Sequence, residues 1–78
     1  MKLSPAQINV GINLSVEDIN LILHREGYTD SYKTAKFVGW NGHQFVYEMT
    51  YWNAIEGLNE TGALFVTVSE NLHIDVDY

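Results

Sequence analysis

No cysteine occurs in the 78 residues, and its absence excludes disulfides, thiolate catalysis and cysteine-ligated zinc together. No Lys or Arg occurs after position 36, so the C-terminal half lacks the basic, aromatic-interleaved pattern of nucleic-acid modules. Long hydrophobic runs are missing too, since no stretch approaches the roughly 18 apolar residues that a membrane span requires. Met1 to Val10 lacks the charged opening and long apolar centre of a secretory signal. A cytoplasmic protein without membrane or direct nucleic-acid binding is therefore expected. No phosphate-binding loop, catalytic motif or metal-ligand spacing stands in the chain, so neither an enzyme nor a cofactor is expected.

What is present, 46% hydrophobic and 18% charged residues, describes one domain over residues 1–78. A chain this short buries about 60% of the surface it exposes when unfolded. With no disulfide to staple it, a homodimer is expected.

Charge is divided along the chain. Residues 1–36 balance Lys2, Arg25, Lys33 and Lys36 against Glu17, Asp18, Glu26 and Asp30. The net charge of −6 therefore lies entirely in residues 37–78, on Glu48, Glu56, Glu60, Glu70, Asp75 and Asp77. Such a field repels phosphate backbones and anionic membranes and attracts basic surfaces.

Gln7 to Leu14 alternates, with Ile8, Val10, Ile12 and Leu14 on one side, and this period of two reads as a strand. Ser4, Pro5 and Gln7 compete with that reading as N-cap, first helical residue and capping-box partner. The β-branched residues and Gly at positions 8 to 12 favour the strand. A helix follows. Ser15 is its N-cap, Asp18 the capping-box partner, and Leu14 with Ile19 a hydrophobic staple. Glu17 and Asp18 suit the positive end of the dipole, His24 and Arg25 the negative end, and Gly27 the left-handed residue that ends the helix. Val16, Ile19, Ile22 and Leu23 form the apolar stripe, which leaves Leu21 outward.

Tyr28 to Lys33 reads as a polar connector. Beyond it, Asn41-Gly42 between two apolar runs predicts a two-residue hairpin turn, with Trp40 facing His43, Val38 facing Phe45 and Lys36 facing Tyr47. One face then carries Val38, Trp40, Phe45, Tyr47, Met49 and Tyr51, interrupted by Lys36. The other carries Phe37, Val46 and Trp52, with nothing left to cover it. Asn53 to Thr61 reads as strand end and loop. A three-residue loop at Ser69-Glu70-Asn71, with Asn71 left-handed, sets Val68 against Leu72, Val66 against Ile74 and Leu64 against Val76. All aliphatic residues then share a face. The expected architecture is a two-layer α+β fold, β-α-β-β-β-β, with one N-terminal helix on a mainly antiparallel sheet of about four to five strands.

His73, Asp75 and Asp77 alternate on one strand face and are the nearest approach to a cation site. Charged residues outward on a terminal strand are also the ordinary way to blunt an edge, and no metal is expected.

Leu14, Ser15, Glu17, Asp18, Asn20, Leu21, Ile22 and Leu23 resemble the opening of small uncharacterised bacteriophage proteins that begin with a capped Asn-Leu-Ile-Leu helix. The resemblance covers about ten residues. It implies a source and no activity: phage genomes encode many short, acidic, cysteine-free proteins that bind and inhibit host machinery, including defence complexes, in the host cytoplasm. The function expected is thus a small acidic protein-binding module, an inhibitor facing a partner with a basic surface. Glu48, Glu56, Glu60, Asp75 and Asp77 would supply charge, and Leu21, Phe37, Trp40 and Trp52 the desolvated anchors. The alternatives are a structural or assembly protein that dimerises through its aromatic hairpin face and, third, a sugar or small-molecule binder.

Overall fold

The computed structural model describes residues 2–28 and 31–77. Two helices, α1 (Pro5–Ile12) and α2 (Val16–Arg25), precede four strands, β1 (Thr34–Trp40), β2 (Phe45–Asn53), β3 (Leu58–Val68) and β4 (Ile74–Asp77). The strands form one antiparallel sheet in the order β1-β2-β3-β4. Both helices lie on one face of it, so the molecule is a two-layer α+β sandwich of the expected class.

The first element departs from the sequence reading: Gln7 to Leu14 is not a strand, and residues 5–12 are helical. The competing signal prevails because its hydrogen bonds are all made. Ser4 Oγ accepts from the Gln7 amide at 3.2 Å, and the Gln7 side-chain oxygen accepts from the Ser4 amide at 2.8 Å. Gln7 is buried, and its Nε2 donates to the Val68 carbonyl at 2.9 Å, so one side chain both caps α1 and ties it to β3. Helical spacing also places Gln7, Val10, Gly11 and Leu14 toward the sheet, a face that the period-two reading splits. Gly11 is there because nothing larger fits. A Cβ added to it would stand 2.3 Å from the Phe45 ring.

Helix α2 follows its sequence signals. Ser15 and Asp18 close a capping box. At the other end Gly27 takes φ 98°, its amide donates to the His24 carbonyl and that of Tyr28 to the Leu23 carbonyl, which is a Schellman motif. Asn20 then holds the connector by accepting from the Tyr32 amide at 2.9 Å and donating to the Tyr32 carbonyl at 3.0 Å.

The core is built from Ile19, Ile22 and Leu23 of α2 against Phe45, Tyr47, Met49, Leu64, Val66, Val68 and Val76 of the sheet. Tyr47 is its polar tie. Its hydroxyl donates to the Gly11 carbonyl at 2.6 Å and accepts from the Leu14 amide at 3.1 Å. It thereby satisfies one of the orphan carbonyls at the end of α1 and fixes the α1–α2 link. Burial raises the Tyr47 pKa, the bond from Leu14 opposes that rise, and the Asp18 charge adds to it.

Register in the β1–β2 hairpin also differs from the two-residue turn. Trp40 pairs with Phe45 and Gly39 with Val46, but Phe37 pairs with Tyr47 and Lys36 with Glu48, leaving Val38 as a bulge. Asn41 uses its side chain instead of forming a tight turn: its Oδ1 accepts from the amides of His43 and Gln44 at 2.9 and 2.8 Å, spreading the loop over residues 41–44. The bulge moves Phe37 and Ala35 to the core side and Lys36 and Val38 to the outer side. The cation that interrupted the expected core face is thus removed from it.

Residues 53–61 are mostly strand. Tyr51, Trp52 and Asn53 pair with Glu60, Asn59 and Leu58 around a turn at residues 54–57, so the β2–β3 hairpin projects past the end of β1. In the last hairpin Val68 pairs with Ile74 and Val66 with Val76. Both pairs lie two residues from the expected register, with Leu72 and not Asn71 at positive φ, 65°. A shift of two preserves side-chain parity, so Leu64, Val66, Val68, Ile74 and Val76 share the core face as expected, while Leu72 falls in the loop and is exposed.

Candidate functional site

Alternation along the strands sends the other half of their side chains to the face opposite the helices, and among the described residues no element covers it. The bulge brings Val38 there. Across β2 and β3, Val46 pairs with Phe65, Glu48 with Ala63, Thr50 with Thr61 and Trp52 with Asn59. Asp77 pairs with Phe65 and Asp75 with Thr67 at the far edge. Val38 is 61% exposed and Trp52 51%. Because Gly62 and Ala63 add little bulk, a shallow hollow of about 240 Å³ lies among Val38, Val46, Glu48, Thr61 and Ala63.

This face gathers four of the residues singled out from the sequence: Glu48, Trp52, Asp75 and Asp77. Lys33 Nζ stands 5.4 Å from the centre of the Trp52 ring, a cation–π contact that steadies the indole at one end of the face. At the other, Gln44 Nε2 donates to Asp77 and to the Thr67 hydroxyl, both at 3.1 Å. His73 Nε2 lies 3.4 Å from Asp75 Oδ1. Among the described residues no group of three His, Asp or Glu side chains is arranged to hold a metal ion.

The remaining candidates lie elsewhere. Phe37 is not on the open face: it packs against the core, 5.5 Å from the Tyr47 ring centre, as a consequence of the bulge. Trp40 stays on the helix side, 5.0 Å from Phe45, at the half-exposed end of the sheet. Leu21 is 69% exposed on the back of α2, in the opposite layer. Glu56 is in the turn at the tip of the projecting hairpin. Glu60 is on the helix side of that hairpin and is internally bonded, accepting from the Tyr51 hydroxyl at 2.6 Å and from Asn53 at 3.2 Å. The Tyr51 hydrogen bond holds the Glu60 carboxyl below the usual carboxylate range, while the carboxylate beside Tyr51 pushes that phenol up.

Sequence reasoning missed Val38 and undervalued Phe65, and it took Leu58 to Thr61 for loop where they are strand. Ile55, 98% exposed, and Leu58, 45% exposed, stand near Trp52 on the hairpin. The available signal for Val38 was Lys36 itself, a cation facing Tyr47 in a register that a single bulge would correct.

At the edge of the projecting hairpin, Tyr28, Tyr32, Tyr51, Trp52 and Asn53 line an open cleft of about 820 Å³. No helix among the described residues is long and apolar enough to cross a membrane. Compared with protein-family models, curated proteins and solved structures, the chain matches none.

Proposed function

We propose that this chain is a small acidic protein-binding module whose open sheet face docks on a basic surface of a partner protein. The observation that supports this reading is the coincidence on one uncovered face of the apolar Val38, Val46, Phe65 and Trp52 with the carboxylates Glu48, Asp75 and Asp77, the cations on that side, Lys33 and Lys36, being confined to its β1 margin. Apolar residues at its centre would supply the desolvated contact, and Glu48, Asp75 and Asp77 would steer the approach. A basic surface of this kind is one that ordinarily faces nucleic acid, so occupying it would inhibit the partner in the manner of a phage-encoded inhibitor acting in a host cytoplasm.

The test begins by recovering the partner from host lysate and then measures binding kinetics to it at low and moderate salt. Reversing Glu48, Asp75 and Asp77 to Lys should slow association and flatten its salt dependence, whereas Trp52→Ala should chiefly speed dissociation. Competing DNA should lower the apparent affinity. Affinity indifferent to salt, to these carboxylates and to DNA would remove the steering component.

A homodimer is the second reading, favoured by the exposure of Trp52, Ile55 and Leu58 together on the projecting hairpin. Sedimentation equilibrium separates the two: a dimer would dissociate on Trp52→Ala, and a monomer at high micromolar concentration excludes it.

A further inference from the structure

Among the described residues, no strand neighbours the edge of β1 that faces away from β2. Among the described residues no hydrogen bond from a helix or loop reaches the backbone of residues 34–40 along it. Next to this edge runs a groove of about 360 Å³, walled by Leu3, Ile8 and Ile12 on the helix side and by Phe37, Trp40 and Phe45 on the sheet side, with Lys2 at its rim. The groove exists because α1 is drawn toward β3. Gln7 is bonded to Val68 and Gly11 rests on Phe45, which leaves the Ile8/Ile12 ridge standing over the lip of the sheet with both residues about two-fifths exposed.

We propose that this edge and groove form a strand-addition site for an extended segment of a partner protein in which apolar and acidic residues alternate. Main-chain pairing with the free edge supplies affinity, and alternate side chains supply specificity, as in other cases of β-augmentation. On the helix side the incoming apolar residues enter a groove already lined by six apolar side chains. On the opposite side the alternate, acidic residues lie beside Lys36, whose cross-strand neighbour Glu48 does not approach it to ion-pairing distance. Lys2 and Lys36 are two of the chain's four cations. Acidic residues on the added strand are therefore complementary to this edge, while Glu48, Asp75 and Asp77, farther across the open face, are complementary to a basic surface.

A second copy of this chain suits the site poorly. Its own alternating edge strand is β4, in which Val76 is already buried and the Ile74 carbonyl accepts from Arg25 Nη2 at 3.3 Å. The bulge at Val38 and the cation at Lys36 are also ordinary devices against pairing between like edges. An added strand would use the regular stretch from Thr34 to Phe37 and place its apolar residues toward Trp40.

The test uses a short labelled peptide alternating Val and Asp as probe, with a Val/Lys peptide and a Pro-interrupted Val/Asp peptide as controls. Fluorescence anisotropy should show the Val/Asp probe binding roughly tenfold more tightly than either control. Trp40→Ala and Ile8→Gln should each weaken the probe by roughly tenfold, and Lys36→Glu should reverse the preference between the charged peptides. Ile8→Gln and Lys36→Glu change exposed positions, so they carry the test if Trp40→Ala loosens the fold. In the complex, the amides of residues 34–37 should gain protection from hydrogen exchange. Equal binding of the two charged peptides, indifference to Ile8→Gln, protection confined to other strands, or protection of β1 on concentrating the protein alone would each overturn the proposal.

Discussion

At the scale of single residues, two contacts determine how the helical layer sits on the sheet and at its projecting end. Gly11 lies against a Phe45 ring that is itself held by Trp40 and Phe37. Ala is the better helix former by about 1 kcal/mol, yet overpacking of this kind costs about 1–3 kcal/mol. Gly11→Ala should therefore lower stability on the order of 1 kcal/mol by denaturant unfolding; a gain would mean that the ring moves aside freely. Glu60 makes a pH prediction. Its folded pKa is depressed, first by the Tyr51 hydrogen bond, so its contribution is present above the unfolded-state carboxylate pKa and is lost as pH falls through the folded value. Tyr51 is shifted the opposite way, and its contribution is lost as pH rises through its raised value. Thermal melts should show a shallower acid limb for Glu60→Gln than for the parent chain, and parallel limbs would show that the bridge adds no stability.

Among the elements, β1 makes the sharpest prediction. With Val38 as a bulge, deleting it joins Gly39↔Val46 directly to Phe37↔Tyr47 and regularises the ladder without moving Phe37. The variant should fold with the Phe37–Tyr47 ring contact intact by nuclear Overhauser effects. Loss of that contact, with Phe37 turned outward in the variant, would show that Val38 is a regular member of the ladder and not a bulge. The same strand shows what could be read from sequence and what could not. Caps were legible, because Ser15, Asp18 and Gly27 act through neighbours in the chain. Side-chain parity in β3 and β4 was legible because burial selects one face. Register was not: the Asn41 side chain could close a tight turn or cap a wider one, the bulge was signalled only by Lys36 falling on the core face, and a loop lengthened by two residues leaves no local mark. Residues 8–12 carried both a strand pattern and a helix cap, and what decided between them was Gln7 reaching Val68, a contact across 61 positions. Of the candidate site, the acidic half was legible from composition, but the exchange of Phe37 for Val38 on the open face depended on the bulge.

For the whole molecule, the governing feature is that two helices cover one face of a sheet and none covers the other. The described residues extend 42 × 23 × 16 Å, a thin and elongated body. In such a slab the open face is a large share of the surface, and apart from the start of β1 with Lys36 it is built from the half of the chain that carries all of the net charge. Leu21 and the helix backs belong to the opposite side, so the two sides can be distinguished in solution. The most direct measurement is an NMR footprint of the chain, in methyl and aromatic signals, on titration with its recovered partner. The expected result is perturbation of Val38, Val46, Trp52 and Phe65 while Leu21 and Val16 stay unchanged. Perturbation centred on Leu21 and the outer surface of α2, with the sheet face silent, would contradict it.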